Sequence, residues 1–344
     1  MQKTLKKLTR RNEPYIFLVV LALAMLIQFR SGQFFTGNNL VDISSAMVVP
    51  GLFAIGTFMV ILSGGIDVSF PALASLTSYA TTKMLLDAGY TGGIWLPILI
   101  SLVLGAALGA FNGLFIGILG LPALIVTLGS SSVFKGVMQG ALNSVQLATI
   151  PQGMKDFGTS ALFVAQNPVS GLTSKMPLSI LAFIVVLLLS FVILRYTFFG
   201  RGIYAIGGNE VSAHRAGFNT KRTKFLLYVF VGMVASLAGL FRTCMMQQNH
   251  PTNMLGMEMN IIAGVVLGGT AITGGAGSLT GCMLGTLLIV IVENSMILIG
   301  IPTIWKSVFV GALIIIGTGV SAYQVVRTNR TASVTAAGKE ALKA

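Results

Sequence analysis

The sequence predicts an all-α, polytopic membrane helix bundle of about ten transmembrane helices, on three observations. Charge is scarce: 22 Lys and Arg plus 9 Asp and Glu make up 9% of 344 residues, where a soluble domain carries roughly 25%. Apolar side chains account for 54%, with 41 glycines besides, so a soluble fold has too few polar groups to cover its surface. The apolar residues also fall in long charge-free runs, unlike the ~10-residue alternating segments of an outer-membrane barrel. The two cysteines, Cys244 and Cys282, sit in apolar runs and make no disulfide framework.

One helix needs about 20 residues to cross ~30 Å of hydrocarbon. The first span, 14–30, contains the charge-free run Pro14–Phe29. It follows basic residues as a signal peptide does, but Gln28-Phe29-Arg30-Ser31 lacks a small-x-small cleavage pattern, so it is read as an uncleaved helix. Span two, 41–63, lies mostly in the run Ile43–Ile66, and span three, 68–86, is rich in Ser and Thr. Spans four and five, 94–119 and 121–142, divide the long run Ala88–Phe134 at Gly120-Leu121-Pro122, because a residue before Pro avoids the helical region. The remaining spans are 177–199, 225–246, a short Gly-rich 258–272, 277–300 and 303–323. The whole chain, 1–344, reads as one transmembrane domain with its bundle at 14–323.

Basic residues set the expected orientation. Lys3, Lys6, Lys7, Arg10 and Arg11 precede the first span; Arg195, Arg201, Arg215, Lys221, Arg222 and Lys224 flank the loop after the sixth; Arg327, Arg330, Lys339 and Lys343 follow the last. The positive-inside rule places all three groups in the cytoplasm, which six spans plus four satisfy. The N-terminus (1–13), the loop 200–224 and the tail 324–344 are therefore expected on that side. The net charge of +13 is a topology signal, not a nucleic-acid footprint, since these clusters abut apolar spans without interleaved aromatics.

Two stretches correspond five spans apart. Asn112-Gly113 leads to Gly120-Leu121-Pro122 near the end of span four, and Asn294-Ser295 leads to Gly300-Ile301-Pro302 near the end of span nine; a further likeness, Gly64-Gly65 after span two with Gly274-Gly275 after span eight, lies six spans apart. An offset of five helices reverses direction, which is the inverted repeat of transporters. Segment 143–176, on the opposite side, is expected to hold a short surface helix, as a lid or a connector.

The loop from Arg195 to Lys224 contains a short helix with its own stops. Asn209 is a good N-cap, Glu210 follows in the first turn, His214 and Arg215 lie in the last turn, and Gly217 suits the left-handed C′ position. Too short to stand alone in water, it must dock on its own bundle or on a partner.

This stretch resembles the cytoplasmic coupling loop of the permease subunits of bacterial ABC importers, in the branch that carries ribose and related monosaccharides. Leu62-Ser63-Gly64-Gly65-Ile66-Asp67-Val68-Ser69 resembles that family's Gly-Gly-Ile-Asp-Leu-Ser signature. Asn112-Gly113 with Pro122-Ala123-Leu124-Ile125-Val126-Thr127-Leu128-Gly129 resembles a second segment, and Gly268-Gly269-Thr270 through Gly274-Gly275-Ala276-Gly277-Ser278 a third. Phe70-Pro71 and Ala123 depart from the usual pattern. The resemblance implies an inner-membrane permease dimer of identical or related chains. It also implies a separate ATPase holding ATP and Mg, and a periplasmic or lipoprotein binding protein that captures the sugar.

On that resemblance Gly207, Gly208, Asn209, Glu210, Ala213, Arg215 and Gly217 are candidates for coupling to the ATPase. Asp67 or Ser69 caps span three, with Pro71 in its first turn; Gly64, Gly65, Asp67 and Ser69 together are a candidate gate or hinge. Glu293 is an acid within a long apolar helix, to be paired with Lys306 or Arg242 or to line a pathway. Asn112, Thr127, Glu293 and Asn294 are candidates for the substrate path, the amides because they both donate and accept. Lys135 reads as a snorkelling or paired cation. No G-x-x-x-x-G-K-[ST] occurs, no metal cluster is evident, since His214 and His250 stand apart, and no nucleophile–base pair points to catalysis. The alternatives are an ion-coupled secondary transporter of a small neutral solute and an ABC permease for another such solute.

Overall fold

The computed structural model describes residues 13–143, 145–167 and 171–313, together with 315 and 319. The basic residues of the N-terminus and of the tail lie outside the described residues. The helices are α1 (Glu13–Ser31), α2 (Gly37–Leu62), α3 (Phe70–Asp87), α4 (Trp95–Gly113), α5 (Ala123–Gly140), α6 (Gln152–Thr159), α7 (Ser179–Tyr196), α8 (Phe198–Gly208), α9 (Glu210–Arg215), α10 (Thr220–Met246), α11 (Glu258–Leu267) and α12 (Leu279–Ser295). A π-helical turn, Leu114–Ile118, prolongs α4, and residues 306–313 are again helical.

Five of these helices are long and apolar enough to cross a bilayer: α1, α2, α4 with its π turn, α7 and α10. α11 and α12 are shorter apolar helices. The bundle is apolar outside as well as inside. α7 leaves Val185, Leu188 and Val192 exposed, and α1 leaves Phe17, Leu18 and Phe29 exposed, as helices facing lipid do. α2, apolar on every side, is buried almost completely from Met47 to Leu62. α10 packs beside it and against α3 and α4, while α11 and α12 close the other side of α2.

Glycine lets these helices meet at backbone distance. A Cβ at Gly109 or Gly232 would collide with the facing backbone of α10 or α4 respectively. Between α11 and α12, Gly264 and Gly268 face Gly281 and Gly285 in the same way. Such small-residue seams are the ordinary way to gain dispersion contact where lipid is as apolar as the side chains.

The segment after α5 holds the expected surface helix, α6, whose Phe157 stacks on Phe241 of α10 at 5.6 Å. It also holds an unforeseen antiparallel hairpin, β1 (Ala161–Gln166) and β2 (Thr173–Pro177), with Val164 opposite Lys175. Asn38 at the start of α2 anchors the hairpin, its Nδ2 donating to Ser174 Oγ at 3.1 Å.

Candidate functional site

Three sets of residues converge. At the end of the bundle that carries the Arg- and Lys-rich loop, α9 is built as its sequence requires. Asn209 Oδ1 accepts from the Ser212 N–H at 2.8 Å. Gly217, at φ +90°, ends the helix: its N–H donates to His214 O at 3.0 Å and the next, from Phe218, to Ala213 O at 3.1 Å, the paired bonds of a Schellman motif. Lys224 Nζ reaches Glu210 Oε2 at 2.6 Å, tying α9 to the N-terminal part of α10. Ala213 is buried beneath the helix, whereas Val211 and Arg215 face outward.

The preceding residues are locked into the bundle. Gly207 lies against Leu62 at the end of α2 and against Gly275, whose N–H donates to Leu62 O at 2.9 Å. Gly274 packs on both Gly64 and Gly207. The two Gly-rich turns likened in the sequence, 64–65 and 274–275, thus meet in space, with Gly207 and Gly208 between them. Gly64, Gly274 and Gly275 all have positive φ, a backbone state that side chains disfavour.

The second set is a buried polar cluster in the turn between α2 and α3. Asp67 Oδ1 accepts from both the N–H and the Oγ of Ser69, each at 2.7 Å. Ser69 is the N-cap residue but makes no side-chain cap bond; the carboxylate of Asp67 takes the backbone donor instead. Burial pushes the Asp67 carboxyl above its ordinary value, against the opposing pull of the Ser69 hydrogen bonds. Asn112 Nδ2 donates to Ser69 Oγ at 2.9 Å, and Thr127 Oγ1 accepts from the Val68 N–H at 3.3 Å. Asn112 and Thr127, candidates for the path, bond the turn that holds the candidate hinge residues Asp67 and Ser69, and both are buried there. Two groups in this cluster are orphaned, the Asn112 Oδ1 acceptor and the Tyr228 hydroxyl. Tyr228 went unremarked in the sequence; a polar hydroxyl in the apolar run Phe225–Val231 was its only signal.

The third set lines a cavity of about 530 Å³ between α2, α10, α11, α12 and the helical residues after 305. Glu293 and Asn294 are there, with Arg242, Asn260 and Lys306. Lys306 Nζ lies 3.3 Å from Glu293 Oε2, and Asn260 Nδ2 donates to Oε1 at 3.1 Å. Of the two partners expected for Glu293, Lys306 is the one it takes. Pro50 lines the cavity too; having no N–H, it leaves the Ala46 carbonyl beside it without its helical donor. The glycine junction sits at the Leu62 end of α2 and the Leu279 end of α12, so this cavity is at the far end of the bundle. Among the described residues no group of three His, Cys, Asp or Glu is placed to hold a metal ion.

A family model described as branched-chain amino acid transport system / permease component matches residues 39–317. The chain is 30% identical over 300 residues to the ribose import permease protein of Escherichia coli, covering 87% of this chain and 90% of that one. It is 30% identical over 306 residues to the autoinducer 2 import system permease protein of Yersinia enterocolitica, covering 89% and 81%. Identity to the xylose transport system permease protein of Escherichia coli is 26% over 355 aligned positions, covering 88% and 90%. No solved structure matches.

Proposed function

The chain belongs to this family of transport permease components, and from that premise we propose that it is the membrane-spanning subunit of an ATP-driven importer of a monosaccharide or a similarly small hydroxylated solute. The observation that carries the reading is α9: a capped, outward-facing helix in the basic loop, fixed through Gly207 and Gly275 to the ends of α2 and α12. A helix so short persists only when docked, and its outer side offers Val211 and Arg215 to a partner.

In this reading ATP and Mg are held by a separate ATPase, and this chain performs no hydrolysis. Closure of the ATPase displaces α9, and the glycine junction passes the displacement to α2 and α12. The cavity lined by Glu293 and Asn294 alternates between exposure to the two sides. A binding protein outside the inner membrane delivers the solute, and two permease chains complete the pathway. The termini and the α9 loop face the cytoplasm. An ion-coupled scheme is disfavoured, because Glu293, the acid that lines the cavity, is already held by Lys306 and Asn260, where ion coupling draws on an acid open to the ion.

The test is uptake of labelled ribose, xylose and glucose into vesicles reconstituted with the chain, with and without its co-purifying ATPase and binding protein. Uptake that needs the ATPase and ATP supports the reading. Uptake by the chain alone, driven by an ion gradient, overturns it.

A further inference from the structure

The cavity at the far end of the bundle has an unbalanced charge. Its charged lining groups are Arg242, Lys306 and Glu293, two cations against one carboxylate. Both oxygens of Glu293 are occupied, one by Lys306 and the other by the Asn260 amide. Arg242 has no such relief. None of the ion pairs among the described residues includes it, and its Nε is buried without an acceptor. Glu258 is close in sequence to the lining, but its carboxylate takes the Gly256 N–H at 2.9 Å.

An uncompensated guanidinium inside a membrane bundle is costly, and such groups mark a ligand or a partner. A guanidinium presents a planar fork of donors that matches a carboxylate in two-point contact. The same cavity is lined by Asn253, Asn260 and Asn294. Asn260 and Asn294 spend their Nδ2 groups on Glu293 and on Val290 O, so their carbonyl oxygens are left to accept from hydroxyls. The volume of about 530 Å³ lies in the usual range for a small-molecule site, roughly 300–1,000 Å³.

We propose that this cavity takes a sugar acid, a hydroxylated monosaccharide bearing one carboxylate, with Arg242 binding the carboxylate and the asparagine carbonyls accepting from the hydroxyls. The inference rests on the reading of the chain as a permease and narrows its small hydroxylated solute to one that carries a carboxylate. A sugar acid brings the charge that balances the lining: two cations then face two carboxylates, one fixed and one carried.

The experiment is equilibrium binding to the purified full chain in lipid nanodiscs, with D-glucuronate, D-glucose and acetate as probes. Glucuronate and glucose differ only at the terminal carbon, a carboxylate in one and a CH2OH in the other. Glucuronate is expected to bind about 10–100-fold more tightly than glucose, the range for a charge-assisted pair, and more tightly than acetate by at least ten-fold. Arg242→Gln is expected to bring glucuronate down to the level of glucose, and Arg242→Lys to fall between the two. Should the glutamine variant fail to fold, the wild-type ratio and the lysine variant still decide. Equal affinities for glucose and glucuronate overturn the proposal, as does acetate binding as well as glucuronate, which marks a bare anion site. Absence of glucuronate binding to the folded chain overturns it too. ATP-driven uptake of glucose with none of glucuronate sinks the sugar-acid proposal and leaves the importer reading standing. Glucuronate selectivity in binding, with uptake that ignores ATP, does the reverse.

Discussion

Gly207 and Gly208 are adjacent glycines with opposite surroundings, and they make a sharp test of the junction between the loop and the bundle. A Cβ at Gly207 would sit 2.5 Å from Gly275 N and closer still to Leu62 O. Those two atoms are the donor and acceptor of one hydrogen bond, 2.9 Å long, so a methyl at Gly207 enters between the groups that hold the junction closed. Carbon and nitrogen need roughly 3.5 Å, and the Leu62 O contact is tighter still, so α8 must retreat by upwards of about 1 Å. Losing the hydrogen bond costs about 0.5–1.5 kcal/mol, and forcing a methyl into a filled site about 1–3. Gly207→Ala is therefore expected to lose about 2–4 kcal/mol. A Cβ at Gly208 meets nothing within 4 Å, and Gly208→Ala is expected to stay within about 0.5 kcal/mol of the parent. Thermal unfolding of the detergent-solubilised protein reads the difference, about 4–8 °C for Gly207→Ala at roughly 2 °C per kcal/mol in a chain of this size. ATPase stimulation in the assembled importer is expected to fall at least ten-fold with Gly207→Ala and to survive Gly208→Ala. Equal midpoints for the two variants would show that the loop does not pack on Leu62 and Gly275.

Three further outcomes are expected. Glu210→Lys breaks the pair with Lys224 at a partly exposed site, so it is expected to cost under ~1 kcal/mol yet to reduce ATPase co-purification, and adding Lys224→Glu restores stability without restoring binding; co-purification unchanged in both would remove α9 from the partner interface. Because burial raises the Asp67 carboxyl above 3.8 in the folded chain, its contribution to stability is present in full below the unfolded value and is lost as pH rises through the folded one. Asp67→Asn is expected to flatten that fall in a series of melts across pH 4–8, and an unchanged slope refutes the assignment. Pro50→Ala returns a helical donor to the Ala46 carbonyl and is expected to hold or raise the melting midpoint while slowing uptake; uptake at the parental rate would deny any flexing of α2 at the cavity.

What could be read from the sequence was what depends on near neighbours. The helix Glu210–Arg215 was legible because its cap, its first-turn acid and its terminal glycine lie within nine residues. The span positions were legible for the same reason, charge-free length being a local property: the expected 14–30, 177–199 and 225–246 correspond to Glu13–Ser31, Ser179–Tyr196 and Thr220–Met246. The hairpin Ala161–Pro177 was not legible, since Leu162-Phe163-Val164 is a short apolar run without alternation and its pairing depends on a turn of several residues. Nor was the regrouping of the candidate residues. Asn112 was singled out as a path candidate for its chemistry, and nothing near it in the sequence showed that its amide reaches Ser69, 43 residues earlier. Pairing of that kind follows from helix packing, and α4 is set against its neighbours by a glycine seam whose partner no local pattern specifies.

The same packing explains how a push on a surface loop can reach a cavity at the other end. α10 begins at Asn219, which caps it beside α9, and Thr220 to Arg242 spans about 33 Å at 1.5 Å per residue. α12 begins next to the glycine junction, and Leu279 to Glu293 spans about 21 Å by the same rise. α12 thus has one end next to the junction and α10 one end beside α9, each with a charged cavity residue towards its other end. α11 cannot slide independently of α12, because Gly268 and Gly281 meet backbone to backbone and Asn260 bonds Glu293 across them. α2 is fixed at its Leu62 end by the Gly275 hydrogen bond and interrupted at Pro50, beside the cavity. A movement entering at Gly207 therefore meets rigid elements along the seams and a weakened helical ladder at Pro50. In the proposed cycle the compliant point lies at the cavity lined by Pro50, Arg242 and Glu293, so displacement of the junction is expected to change the shape of the cavity before it disturbs the core.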